Sequence, residues 1–140
     1  MRRATFTIQG PPVGKQRART YRHGKVTRTV TPTKTRDYEA LTAQIAAAHW
    51  QGEPSTGPIR LTLVVVKARP KRLCRKADPD GRVRCLATPD LDNVFKSCSD
   101  SLNGIVYVDD AQVVEVAGSK WYAAKGERPR VEVTVEEICD

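Results

Sequence analysis

Two aspartates separated by one leucine, Asp90 and Asp92, open the stretch PDLDNVFKSCSDSLNGIVYVDDAQV from Pro89 to Val113. Lys96 follows four residues after the second, and a further acidic pair stands at Asp109 and Asp110. Magnesium takes oxygen ligands, is usually held by one or two carboxylates, and keeps room for water and substrate phosphate. A cation held in that way polarises a phosphoryl oxygen and lowers the pKa of a bound water. A nearby lysine stabilises the charge that builds on the phosphate. If Leu91 points inward from extended backbone, the two aspartates share the other face. If a helix begins at Asn93, Asp92 is its N-cap and Lys96 lies on the same face one turn later. Val94, Phe95, Cys98 and Leu102 give that helix one apolar stripe, and Asn103-Gly104 closes it. Ile105 to Val108 then reads as a short buried strand that delivers Asp109-Asp110 at its end. A plainer reading stays open on spacing alone, with Asp92 as a helix cap and Asp109-Asp110 as a turn.

The elements that must position these groups come from a chain of 140 residues, enough for one domain that folds unaided. Lys and Arg number 24 against 16 Asp and Glu, a net charge of +8. That balance suits a polyanion, nucleic acid before an anionic membrane. No apolar run approaches the ~20 residues of a membrane span, and MRRATFTIQG lacks the apolar core of a signal peptide. A cytoplasmic, nucleoid-associated protein is expected. Cys74, Cys85, Cys98 and Cys139 form no CxxC pair and have no histidine at zinc spacing. Cys98 should pack as a small hydrophobe, and Cys74 and Cys85 can face each other across a hairpin as free thiols.

Along the chain, residues 3 to 9 alternate as a half-buried strand. Residues 15 to 25, KQRARTYRHGK, carry Lys15, Arg17 and Arg19 around Tyr21, a composition for phosphate contacts and base stacking, or else a solvated charged loop. Val26 to Val30 is expected to pair with Arg19 to Arg22 across His23-Gly24. Thr33 or Thr35 caps a helix to about Trp50, with Tyr38, Leu41, Ile45 and Ala48 toward the sheet. Lys34 sits in its first turn, where the dipole disfavours cations, which suggests phosphate contact. Ile59 to Val66 is apolar enough for a central strand. Residues 67 to 88 hold eight basic residues, Lys71, Arg72 and Arg75 among them. They read as a projecting basic hairpin or a mobile arm beside Asp90 that grips DNA, or else as a disordered segment without function. Gln112 to Tyr122 and Arg130 to Ile138 alternate as strands and are expected to pair as an antiparallel hairpin. The fold class is then α+β, two helices packed on a mixed, mostly antiparallel sheet.

The order DLDN, a lysine four residues on, LNG and DDAQV resembles the active-site region of the RusA family of Holliday junction resolvases. GPPVGKQRAR and TPTKTRDYEALTAQI are similar to the basic loop and first helix of its longer, phage-type members, so the likeness covers most of the chain outside residues 70 to 88. It implies metal ligands at Asp90, Asp92 and Asp110, a catalytic Lys96 and a less essential Asp109. It also implies Mg2+, with Mn2+ as a substitute, a homodimer, and branched DNA as partner. Two other classes stand beside it. One is a basic junction- or single-strand-binding module, although anions beside phosphate do not help a binder. The other is a metal-dependent nuclease for flaps, forks or RNA.

Overall fold

The computed structural model describes residues 1–16, 19–30 and 33–139. In chain order its elements are β1 (Arg3–Gln9), β2 (Arg19–His23), β3 (Val26–Val30), α1 (Thr33–His49), β4 (Ile59–Lys67), β5 (Val83–Arg84), α2 (Leu91–Ser101), β6 (Val113–Tyr122) and β7 (Arg130–Glu137). The fold is α+β. Five strands form one mixed sheet in the order β1-β7-β4-β6-β5, and β2 and β3 form a small sheet of their own. Only the β4–β6 pair is parallel among the pairs of the large sheet.

Both helices cover one face of that sheet. Phe6, Ile8, Leu61, Leu63, Val65, Val131, Val133 and Val135 point into the layer between. Tyr38, Ala46, Val94, Cys98 and Leu102 meet them from the helices. The alternation of apolar and polar residues in β1, β4 and β7 is what makes the sheet one-sided. Its other face is polar, with Thr5 and Thr134 hydroxyls 3.3 Å apart and Arg60 held 2.6 Å from Glu115.

Several expectations are corrected. β6 and β7 do not form a hairpin: β4 lies between them, and the turn after Tyr122 carries the chain past its end. As the most continuous apolar run, β4 gains a backbone neighbour on each side. In α1 the buried stripe is Thr35, Tyr38, Thr42 and Ala46, while Leu41 and Ala48 face outward. Thr42 is acceptable there because its hydroxyl donates 2.9 Å to the Tyr38 carbonyl. Thr33 and Thr35 lie inside the helix, and its cap position falls outside the described residues. Residues 105 to 108 form a turn rather than a strand, yet Val106 and Tyr107 are buried, the Tyr107 hydroxyl donating to the Ser99 carbonyl. α2 begins at Leu91, so Asp90 and not Asp92 is the N-cap.

Residues 67 to 88 are folded back onto the turn between β6 and β7. The Arg69 guanidinium gathers the carbonyls of Leu73, Pro79, Gly81 and Ala123, and Lys125 reaches those of Arg75 and Asp78.

Candidate active site

The head of α2 is fixed by packing on two sides. Leu91 seats against Gly118 of β6, where an added Cβ would stand 3.4 Å from the leucine. The loop Pro11–Gln16 closes the other side: the Lys15 amide donates 2.9 Å to the Asn93 carbonyl. A Cβ on Gly14 would lie 3.1 Å from Asn93 Cβ and 3.2 Å from Pro89 Cβ, so glycine there permits the approach. Lys120 and Lys67 complete the mount by holding the chain that leads in. Lys120 Nζ donates to the Ala87 and Pro89 carbonyls at 2.7 and 3.1 Å, and Lys67 Nζ to the Thr88 carbonyl at 2.5 Å.

On this mount Asp90 and Asp92 stand on either side of Leu91. Asp90 has extended backbone, and its side chain makes no capping bond to the helix. It lines a cleft of about 470 Å³ together with Pro12, Gly14, Lys34, Lys67 and Asn93. Asp92 lines the neighbouring groove with Leu91, Phe95, Val116 and Gly118. The side chains of Asp90, Asp92 and Lys96 are exposed and have no hydrogen bond or ion pair with a described residue. Elsewhere acids are engaged: Glu39 and Asp100 with Lys15, Glu115 and Glu136 with Arg60, Glu127 and Glu132 with Arg82.

Asp109 and Asp110 sit apart from this pair. Asp109 caps the short 3-10 turn Asp110–Gln112, accepting from the Ala111 amide at 3.2 Å. The Gln112 side chain returns a bond to the Asp109 amide and ties the turn to Ser55 and Gly57. Asp110 accepts from Asn103 at 3.3 Å, just beyond the C-terminal end of α2. With 1.5 Å of rise per residue, the 11 residues of α2 put about 16 Å between that end and Asp90. Among the described residues of one chain, no group of three or more His, Cys, Asp or Glu side chains is placed to hold a metal ion.

A family model for endodeoxyribonuclease RusA matches residues 9–136. The chain belongs to the RusA endodeoxyribonuclease family. It is also 34% identical over 139 residues, 95% of each chain, to the uncharacterized protein YqaN of Bacillus subtilis (strain 168).

The expected DNA contacts of this RusA-family chain divide by environment. Lys34 opens onto the cleft of Asp90. Lys15 is turned inward, its ammonium 2.6 Å from Glu39 and 3.2 Å from Asp100, and so ties α1 to α2. Burial opposes its charge, but the bonds from Glu39 and Asp100 outweigh that and raise its pKa. Tyr21 is exposed on the β2–β3 ribbon opposite Arg28. Arg19 is described only as a backbone partner of Val30, and Arg17 lies outside the described residues. Lys71 and Arg72 are exposed in a 3-10 turn, and Arg75 is exposed but pairs with Asp78 at 3.2 Å. Lys67 and Lys120, which hold the carbonyls leading into α2, and Asn93, which the loop at Lys15 contacts, are positions whose place in the mount the spacing did not reveal. Lys67 is legible only as the polar end of an apolar strand, and the other two carry no separate signal. Cys98 is buried in the core, where loss of water pushes its thiol up to about 12, and all four cysteines are free.

Proposed function

We propose that the protein is a metal-dependent, structure-selective endodeoxyribonuclease that resolves four-way DNA junctions. The observation that carries this is the pair of exposed, unengaged carboxylates, Asp90 and Asp92, at a rigidly mounted helix head beside a cleft lined by Lys34 and Lys67. Membership of an endodeoxyribonuclease family supports it.

Two carboxylates open to solvent fit the donor set of Mg2+, which takes few protein ligands and completes its shell with water and substrate. Asp90 and Asp92 would hold the ion, which when bound supplies polarisation of the scissile phosphate and an activated water. Lys96, one turn after Asp92, neutralises charge building on that phosphate. Lys34 and Lys67 attract and orient the neighbouring backbone phosphates. Asp110 of the same chain is a helix length away and does not join them. It reaches such a site only from a second copy, which favours a homodimer matched to the two-fold symmetry of a junction.

Cleavage of a fixed four-way junction, a fork and a duplex of equal length, with Mg2+ and with chelator, tests the reading. Selective, chelator-sensitive cleavage of the junction is expected. Asp92→Asn should abolish it and bind the junction at least as tightly, since anionic repulsion falls. Mixing inactive Asp92→Asn and Asp110→Asn proteins should restore cleavage if each site draws on both copies. A mixture as dead as its parts removes the shared site. A protein that binds junctions but cuts nothing under any metal is the binding module instead.

A further inference from the structure

The chain between β5 and α2 displays one side chain that the resolvase reading does not use. Leu86 is 95% exposed, the highest value among the large apolar side chains described. It is not a frayed residue. Cys85 before it is buried, with its amide 3.3 Å from the Lys120 carbonyl, and Lys120 and Lys67 fix the carbonyls of Ala87, Thr88 and Pro89 after it. The loop is thus held at both ends, and the leucine at its crest is presented to solvent.

Its neighbours are cations. Arg84 lies two residues away with its guanidinium stacked 3.7 Å over the Trp121 ring. Arg72, Arg84 and Leu86 line one hollow with Tyr122. An apolar protein surface closing on Leu86 would have to strip water from those guanidinium groups, whereas DNA offers phosphate to the arginines and stacked bases to the leucine. Leu86 also stands four residues before Asp90, so chain reach keeps the two within about 14 Å. That is about four base steps of 3.4 Å.

We propose, resting on the resolvase reading, that Leu86 is an apolar wedge that enters the base stack at the branch point of bound DNA, with Arg84 and Arg72 on the flanking phosphates. Leucine is among the side chains proteins insert between base steps, and an open branch point costs less to unstack than continuous duplex. The wedge would hold the branch point at a fixed offset from the Asp90 and Asp92 carboxylates, and so couple junction shape to the position of the cut.

A four-way junction carrying 2-aminopurine at the branch point, bound by Asp92→Asn protein so that nothing is cut, reports the insertion directly. Fluorescence should rise on binding, lose most of that rise in Asp92→Asn with Leu86→Ser, and keep it with Leu86→Met. In the otherwise native chain Leu86→Ser should slow single-turnover junction cleavage by about tenfold, the scale of one stacking interaction, without moving the thermal midpoint. An undiminished fluorescence rise in the serine variant overturns the wedge. A changed molar mass in solution for Leu86→Ser assigns the residue to a contact between copies and overturns it equally. If the Asp92→Asn protein binds no junction at all, the resolvase reading fails and the wedge falls with it. Tight binding with no change at position 86 leaves the resolvase reading intact and removes the wedge alone.

Discussion

At the scale of single residues, the acids of this chain divide into those tied to cations and backbone amides and those, such as Asp90 and Asp92, left exposed without a described partner. Glu127 is the clearest of the first kind. It accepts from Arg82 at 2.7 Å, from Arg130 at 2.8 Å and from the Ala124 amide at 2.9 Å. The Arg82 contact, against the opposing effect of burial, lowers its carboxyl from 4.5 to about 2. A lowered carboxyl contributes stability that is whole above its unfolded pKa and is lost as pH falls through the folded one. Glu127→Gln should therefore melt below the native chain at neutral pH, with the gap closing between pH 4.5 and about 2. Thermal scans across that range check it, and a gap unchanged at pH 3 denies the residue this role. Lys96 is a cation without such ties, exposed and with no described partner. Lys96→Ala should slow single-turnover cleavage at saturating DNA by ~10²-fold, the loss expected on removing one transition-state donor. If only binding weakens, the lysine is a phosphate contact and no more.

Elements carry the site through contacts that no motif encodes. The loop Pro11–Gln16 and the head of α2 touch through backbone at Gly14, with no room for a methyl group. Gly14→Ala must push Asn93 and Pro89 aside by a few tenths of an ångström, and Asp90 lies between those residues. The variant should fold with its core intact and cut about tenfold more slowly, because small displacements of reacting groups carry large rate penalties. Native cleavage rates from it would show that the loop only covers the helix. The segment after β4 depends on a different kind of contact. Arg69 satisfies four backbone carbonyls that have no ladder to join. Arg69→Met should lower stability by about 2 kcal/mol and expose the amides of residues 70 to 84 to hydrogen exchange while β4 stays protected. Uniform protection across both would mean the segment is held by β5 alone.

The whole molecule is a cation with a local acidic site. Its charge of +8 is spread over the β2–β3 ribbon, the cleft beside Asp90 and the segment from Lys67 to Arg84. Not every lysine in it is free for DNA, as Lys15 shows by its contacts with Glu39 and Asp100. Lys71 and Arg72, exposed and without ion pairs to described residues, are the better probes. Replacing both with glutamine should flatten the plot of log affinity against log salt by ~2 units, near 0.9 for each phosphate no longer neutralised. An unchanged slope for junction, fork and duplex alike would place the DNA on another face.

What the sequence determined by itself is what local pattern can encode. Period-two alternation marked β1, β6 and β7, an apolar run marked β4, the pairing of β2 with β3 followed from the turn at Gly24, and the stripe Val94, Cys98 and Leu102 marked α2. The order DLDN, lysine, LNG and DDAQV, with GPPVGKQRAR before it, carried the family, since a series of motifs is legible along the chain without knowledge of how it folds. Tertiary structure decided the rest. That β4 enters between β6 and β7 depends on which strand best rewards two neighbours, a comparison among distant segments. α1 misled because its buried stripe runs through Thr35 and Thr42. Thr42 satisfies its hydroxyl on the Tyr38 carbonyl within the helix, and Thr35 meets the Gln16 amide, a contact that only the tertiary fold supplies. The distance of Asp110 from Asp90 was hidden for the same reason. Both flank α2 in sequence, but a rigid helix holds its two ends apart.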